Sequence, residues 1–317
     1  AFARQFGTRR GNGTVCTVEV GNEPWHYEAD IYRDILLHFA KQVKSFDPAL
    51  EVFPCAMQAT QPHYENIPGF RNYVGARITK EIARYIDGLN LHCYSWLPGD
   101  WGNRKGTYPE HPLSSFREMA AMVRWRNANM PGKKLYLSEW GWDSPGGGQD
   151  CNTPQCVTET AAAAYAVRGA MMALRMGMDR ATWFFYANEE KPDDAIFARS
   201  GLTGAPSGGY QKKATYHALS QLVKEAGGAY FLQALQENDE AWMYVLGDSK
   251  GKPTHLIGWI PKEAPGKITS RIPVPPRYQP SKQWVLDGAH PAPVNWQGNR
   301  EKVVLEVSTI PVLWELK

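Results

Sequence analysis

Glu23 and Glu139 have the residue type and the placement to do chemistry. Each closes a β-prone run close to a tryptophan: "VEVGNEPW" covers residues 18–25 and "LYLSEWGW" residues 135–142. A carboxylate at the end of a buried strand costs free energy unless a partner, a ligand or a catalytic cycle uses it. A lone strand-end glutamate is usually a salt-bridge partner. Two of them, with Asn22, His92, Tyr94 and several tryptophans at neighbouring strand ends, point to a site instead. Paired carboxylates are the equipment of glycoside hydrolysis. One stays protonated to give its proton to the leaving oxygen, and the other is ionised to attack an oxocarbenium-like centre or to activate water for that attack. Tryptophan and tyrosine offer flat apolar faces to a sugar ring, and asparagine and histidine hydrogen-bond hydroxyls. A metal-dependent hydrolase built on His92 and the carboxylates lacks H-x-H or H-E-x-x-H spacing, so neither a metal nor a cofactor is expected.

The elements that must position these residues alternate. Strand-like runs at 14–21, 51–58, 89–96, 134–141 and 180–187 are each followed by a helical pattern, at 29–46, 78–87, 112–129, 158–176 and 211–226. In the first helix Ile31, Ile35, Leu36, Phe39 and Val43 fall on one face. Pro112 and Ser114 read as start signals of the third helix, and Pro131-Gly132 as its stop. Five βα units imply a parallel sheet covered by helices, either doubly wound or a (β/α)8 barrel, with reactive groups gathered where strands end. Beyond Gly227-Gly228 the helical period disappears, and short strand-like runs alternate with Gly, Pro, Asn and Asp. Residues 1–228 therefore read as the catalytic α/β domain and 229–317 as a small antiparallel β-sandwich. In that second domain Trp242, Trp259, Trp284 and Trp296 are expected in the core.

Bulk properties exclude other classes. The chain has 317 residues, 43% of them hydrophobic, with a net charge of +3, so it can bury a sizeable core and has no polybasic nucleic-acid arm. Nucleic acid is not an expected partner. No apolar run reaches the roughly 18 residues of a membrane span. "AFARQFGTRRGNG" at the start lacks the apolar stretch of a signal peptide, although a leader removed earlier remains compatible with it. Cys16, Cys55 and Cys93 fall in predicted strands and read as buried free thiols. Cys151 and Cys156 bracket a Gly-rich loop where a local disulfide would point to an oxidising, secreted or periplasmic setting.

On these motifs the sequence resembles the clan A glycoside hydrolases, a TIM-barrel group. "GNEPW" looks like the Asn-Glu-Pro signature ending that clan's fourth barrel strand, and "LYLSEWGW" like its nucleophile strand, the seventh. "LHCYSW" matches the His-x-Tyr pattern of the sixth strand, and "TWFFYA" the aromatic eighth. A β-sandwich after the barrel is similar to family 39 and some agar-degrading families. The resemblance implies a retaining enzyme with Glu23 as general acid/base and Glu139 as nucleophile. It implies Asn22 on the sugar 2-hydroxyl, Tyr94 donating to Glu139, His92 lining the subsite and Trp183 beneath the sugar. Trp25, His26, Trp96, Trp140 and Trp142 complete the expected carbohydrate contacts, with Trp25 shielding the acid from water.

The resemblance starts at the fourth strand. Five strands cannot close an eight-stranded barrel, so a second polypeptide supplying strands one to three is an expected partner, with "TRRGNG" at 8–13 as a nickable loop. Loop aromatics and cations, including His63, Tyr64, Arg71, Trp101, Arg104, Lys105 and Lys191, fit a long cleft for a polymer. The cations would suit a sulfated or acidic galactan, with a neutral β-glycan as the alternative substrate. Asp143, Asp150, Asp193 and Asp194 lack calcium-loop spacing and read as solvated loop acids. A catalytically inactive carbohydrate-binding protein with a degenerate barrel is the competing reading.

Overall fold

The computed structural model describes every residue except 24–26, 60–72, 101–102, 192–194, 291 and 300. Trp25, His26, His63, Tyr64, Arg71, Trp101, Asp193 and Asp194 lie outside the described residues. The chain forms two compact units. The first comprises residues 1–93, 117–140 and 176–182, and the second 94–116, 141–175 and 183–317. No helix among the described residues is long and apolar enough to cross a membrane.

The first unit is built on strands β1 (Thr17–Val20), β2 (Glu51–Pro54), β3 (Gly88–Tyr94), β4 (Lys134–Gly141) and β5 (Arg180–Trp183). The outer ends of β3, β4 and β5 belong to the second unit. β1 and β2 pair in parallel, Thr17 opposite Glu51 through Val20 opposite Pro54, and β3, β4 and β5 form a second group in that order. Backbone bonds from Asp87 N–H to Val52 O and from Met57 N–H to Asn90 O carry the order across from β2 to β3. Two aspartates pin neighbouring strand starts. Asp87 accepts the Val52 N–H at 2.6 Å and Asp179 the Leu135 N–H at 2.8 Å.

Helix α1 (Phe2–Phe6) precedes β1, and α2 (Ala29–Phe46) links β1 to β2. Its face is rotated from the one the apolar spacing predicts. Tyr32, Leu36 and Ala40 are buried, while Ile31, Ile35 and Phe39 are exposed. Tyr32 turns this way because its hydroxyl donates to Val20 O at 2.7 Å and accepts the Cys55 N–H at 2.8 Å, stitching β1 to the end of β2.

The helix expected over 78–87 does not form. Only α3 (Val74–Arg77) and a 3-10 turn, Ile82–Arg84, occur there. β-Branched Ile78 takes an extended backbone, and the Thr79 hydroxyl accepts the Ile82 N–H, starting a turn instead. α4 runs Arg117–Asn129, five residues later than Pro112 predicts. Ser114 Oγ accepts the Phe116 N–H and Ser115 Oγ the Tyr94 N–H, so both hydroxyls hold turns where the helix would begin. Gly132, with φ +79°, ends that segment where Pro131-Gly132 reads as a stop. β5 is shorter than its predicted run, and Ala187 is joined only by an isolated bridge to Thr203.

In the second unit α5 (Glu159–Arg175) packs on α6 (Ala214–Ala226). A six-stranded antiparallel sheet runs β11 (Val294–Asn295), β10 (Pro280–Val285), β13 (Val312–Leu316), β8 (Pro253–Trp259), β7 (Trp242–Gly247), β6 (Tyr230–Glu237). β9 (Thr269–Pro273) pairs with β12 (Val304–Ser308). Alternation splits the inward residues of β7 and β8 between two cores. Met243, Val245 and Leu256 pack with Ile272, Leu305 and Val307. Tyr244, Leu246, Ile257 and Trp259 pack with Ala163, Val167 and Leu222 of the two helices. Trp259 and Trp284 are buried, and Trp242 and Trp296 pack against these cores.

Cys55 and Cys93 are buried free thiols, whereas Cys16 is exposed. It falls just ahead of β1, outside the pleat that would have turned it inward. Cys151 and Cys156 are disulfide-bonded.

Candidate active site

Side chains of the first unit meet in tiers along one side of its strands, because residues two apart share a face. At the strand starts Glu51 accepts the Thr17 hydroxyl at 3.0 Å and the Tyr136 hydroxyl at 2.7 Å, and is salt-bridged to Lys134. One tier on, Asn90 Nδ2 donates to Ser138 Oγ at 2.7 Å, and the Ser138 N–H returns to Asn90 Oδ1 at 3.2 Å. At the strand ends His92 Nδ1 lies 2.7 Å from Glu23 Oε1 and 3.4 Å from Glu139 Oε2. Its Nε2 is 3.1 Å from Ser138 Oγ. His92, Glu23 and Glu139 expose 5%, 17% and 18% of their side chains, so all three are sheltered yet reachable.

One donor atom each of Glu23, His92 and Glu139 falls within 4.8 Å of the others. The structure thus brings the two sequence-predicted carboxylates to one place with His92 between them. Ligands about 2 Å from a tetrahedral cation stand ~3.4 Å apart. The 2.7 Å approach of His92 to Glu23 is closer than that and is the length of a hydrogen bond.

Glu19 is a member that reading from strand ends misses. It stands in the electrostatic field of His92 and Glu139, with the polar side chains of Ser138 and Asn90 also acting on its carboxyl. Its charge acts on Tyr32 of α2 and on Cys55 just after β2. As a residue Glu19 is exposed, while its carboxyl end is desolvated. Desolvation is the dominant cause that pushes its pKa up to about 7, with Glu139 adding in the same direction against His92, Ser138 and Asn90. The available signal was strand periodicity, since Glu19 lies two residues after Thr17, on the same face of β1. Asn90, two residues before His92, carries the same period-two signal, whereas Ser138, directly before Glu139, falls on the opposite face by that count and has none.

The other predicted residues distribute as follows. Asn22 is exposed in the first unit, and its carbonyl accepts the Ala56 N–H at 3.1 Å, fixing the turn that carries Glu23. Gly21 before it has φ +82°, a left-handed conformation that favours glycine. Trp140 is buried in the same unit. Tyr94, Trp96, Trp142 and Trp183 belong to the second unit. There Tyr94 stacks on Trp96 at 5.1 Å, and the Arg104 guanidinium lies 4.2 Å over the Trp96 ring. Trp183 is half-buried, its indole N–H donating to Ser200 O at 2.7 Å.

Trp142 is not placed to face a sugar. It is 2% exposed, donates to Thr107 O and packs on Phe116, Tyr165 and Trp183, so it is a packing residue of the second unit. Asp143 is likewise not a solvated loop acid. It is buried and accepts the Phe197 and Arg199 N–H groups at 2.8 and 2.9 Å, and burial raises its pKa. These bonds hold Phe197 at φ +73°, in the left-handed region. Asp150 is exposed.

No family model matches the chain, and no curated protein matches it in sequence. Solved structures do match. A family 39 glycoside hydrolase from the gut symbiont Bacteroides cellulosilyticus WH2 is similar with a TM-score of 0.71 at 16% identity, over 96% of this chain and 59% of that one. A Paenibacillus polymyxa xyloglucanase of family 44 is similar at TM-score 0.57 and 14% identity, over 100% and 69%. AbfB, a family 51 α-L-arabinofuranosidase from Bifidobacterium longum, is similar at 0.58 and 13%, over 94% and 67%. What this chain shares with them is the fold, and it spans 59% of the length of the family 39 structure.

Proposed function

We propose that this chain carries the catalytic centre of a retaining glycoside hydrolase that cleaves a β-linked polysaccharide or oligosaccharide by double displacement. The observation that carries the reading is the approach of a Glu23 and a Glu139 carboxylate oxygen to within 4.8 Å, with His92 between them. Retaining enzymes hold their carboxyl groups about 5 to 5.5 Å apart, while inverting ones leave room for water at about 6.5 to 9.5 Å. In the first step the Glu139 carboxylate forms a bond to the anomeric carbon while the Glu23 proton passes to the leaving oxygen. In the second, Glu23 takes a proton from water, whose oxygen displaces Glu139. Asn22 on the 2-hydroxyl belongs to this reading.

The barrel reading treats β1 to β5 as strands four to eight of a (β/α)8 barrel, followed by a β-sandwich over 229–317. A segment supplying the other three strands, on a second polypeptide, is part of the proposal. Its support is that β1 pairs only with β2 among the described strands and that β5, at the other edge, exposes Arg180–Thr182. The intact mass of the purified protein would reveal such a companion. A secreted or periplasmic location rests on the Cys151–Cys156 disulfide. For the substrate, the exposed Lys105 and Lys191 and the Arg104–Trp96 stack favour an acidic or sulfated galactan, whereas the likeness to a xyloglucanase favours a neutral β-glycan.

A polysaccharide panel tests the reading. Glu139→Gln should abolish hydrolysis and keep glycan affinity, whereas a carbohydrate-binding protein without turnover would show no hydrolysis to lose. Activity should also survive a chelator, since the cluster works with protons.

A further inference from the structure

We infer that Tyr186 and Tyr210 of the second unit form a binding platform for an uncharged pyranose unit of a glycan, a subsite apart from the three side chains that carry the proposed chemistry. That the ligand is a glycan rests on the hydrolase reading. The platform itself rests on geometry.

Both rings stand out in water and still meet. Tyr186 is 65% and Tyr210 45% exposed, and their centroids lie 5.9 Å apart with the planes at 47°, the spacing of an aromatic pair. Tyr210 also holds its backbone at φ +57°, a left-handed conformation that is costly for a bulky residue. Burial of the ring does not offset that cost, because the residue is nearly half exposed. Glycine or asparagine would suit the position better. Folding alone gives no reason for an aromatic ring there.

The backbone that carries the rings is fixed. Thr203 joins the two tyrosine segments, bridged to Ala187 on one side and to Lys212 on the other. Its N–H and its hydroxyl donate to Tyr186 O at 3.1 and 3.2 Å, and the Gly204 N–H donates to Gln211 O at 2.8 Å. Gly147 packs so closely on Gly204 that a Cβ added there would lie 1.9 Å from Gly147 O. Glu190 accepts the Ser207 N–H at 2.9 Å and the Ser207 hydroxyl, which ties the same two segments a second time. A ligand therefore meets rings whose backbone is already ordered.

Size and charge select the occupant. Two touching rings match the footprint of a sugar ring and fall far short of the ~800 Å² per partner of a stable protein interface. The exposed residues flanking them in the chain are polar: Glu189, Glu190, Ser207, Gln211 and Lys212. A pyranose has an apolar C–H side and a rim of hydroxyls, which suits an aromatic floor with polar surroundings. Glu189, Glu190 and Lys191 together are net negative, so they disfavour a sulfate or a uronate. Arg199 is buried and donates to the carbonyls of Asp150, Glu189 and Ala198. The Lys212 ammonium lies 4.6 Å over the Tyr216 ring.

Spectra of the protein labelled at its tyrosine ring carbons read the platform directly. The chain has 15 tyrosines, and Tyr186→Phe and Tyr210→Phe identify the two signals. In a Glu139→Gln background, at least one of three uncharged probes, cellohexaose, a xyloglucan oligosaccharide or an agaro-hexasaccharide, should shift both. By calorimetry, Tyr186→Ala and Tyr210→Asn should each weaken binding of that probe roughly tenfold. Denaturation midpoints should not fall, since asparagine accepts the left-handed backbone. Signals unmoved by all three probes, or affinities indifferent to both substitutions, would overturn the platform. So would tighter binding of a sulfated carrageenan hexasaccharide at these rings, or a dimer in sedimentation that Tyr186→Ala dissolves, which would make a second copy the occupant. Cleavage that survives Glu139→Gln would end the hydrolase reading and leave a glycan-dependent shift of the two rings standing. Cleavage lost in Glu139→Gln, with the rings indifferent to glycan, would do the reverse.

Discussion

At the scale of single residues, the proposed chemistry rests on three side chains from three strand ends, and each can be tested. Removing the proton donor in Glu23→Gln should lower kcat/KM by roughly 10²- to 10⁴-fold, the usual worth of general acid catalysis. Activated aryl glycosides should suffer less, because their leaving groups need no proton. Glu139→Gln should cost at least as much with every substrate. Glu19 predicts a pH dependence of stability. In the folded protein it holds its proton up to about pH 7, while an unfolded glutamate ionises near ~4.3. Between those values the folded state binds more protons, so the Glu19 contribution falls as pH rises through that window. Denaturant titrations should show Glu19→Gln gaining on the wild type from about pH 4 to 7 and no further above it. Glu23, His92 and Glu139 were legible in the sequence because strand ends are where polar groups cluster. Glu19, Asn90 and Ser138 were not, because a polar residue inside a β-prone run reads as the solvent face until the other strands close around it. Trp142 misled in the opposite way: a tryptophan beside a nucleophile motif has the type for sugar stacking, and only packing shows that its faces are already taken.

At the scale of elements, local signals worked where one force dominated. The bounds of α2, β4, α5 and the Gly132 stop follow from periodicity and turn chemistry. They failed where side chains competed for the backbone, as Thr79, Ser114 and Ser115 do where helices were expected over 78–87 and from 112. The face of α2 also escaped prediction, since the hydroxyl of Tyr32 outweighs the apolar count in setting the helix's rotation. This yields a contrast between neighbours. Leu36 is fully buried, so Leu36→Ala should destabilise by about 2 to 5 kcal/mol in chemical denaturation. Ile35, on the exposed stripe, should change by less than about 0.5 kcal/mol when truncated.

At the scale of the whole molecule, the second unit is tied together around a buried ion pair. Arg168 of α5 is salt-bridged to Glu110, with Nε 2.9 Å from Glu110 Oε1, and donates to Lys262 O at 2.8 Å, while the Trp259 indole donates to Glu110 at 2.6 Å. Glu110→Ala would leave the guanidinium buried without its carboxylate and should cost about 3 to 5 kcal/mol, read as a lowered denaturation midpoint. The change of texture at Gly227-Gly228 marks where short strands replace helices, but the compact units do not divide there: the second also takes in residues 94–116, 141–175 and 183–228. The association of α5 and α6 with the six-stranded sheet was not legible, because it depends on one sheet face presenting Tyr244, Ile257 and Trp259 to helices far away in sequence. The central claim is that Glu23 and Glu139 act on one anomeric carbon. Peptide mapping of a Glu23→Ala variant, quenched while turning over an activated aryl glycoside of the cleaved glycan, tests it most directly. A glycosyl mass on the peptide at Glu139 is the predicted result, and steady turnover with no adduct, or an adduct on another residue, would contradict it.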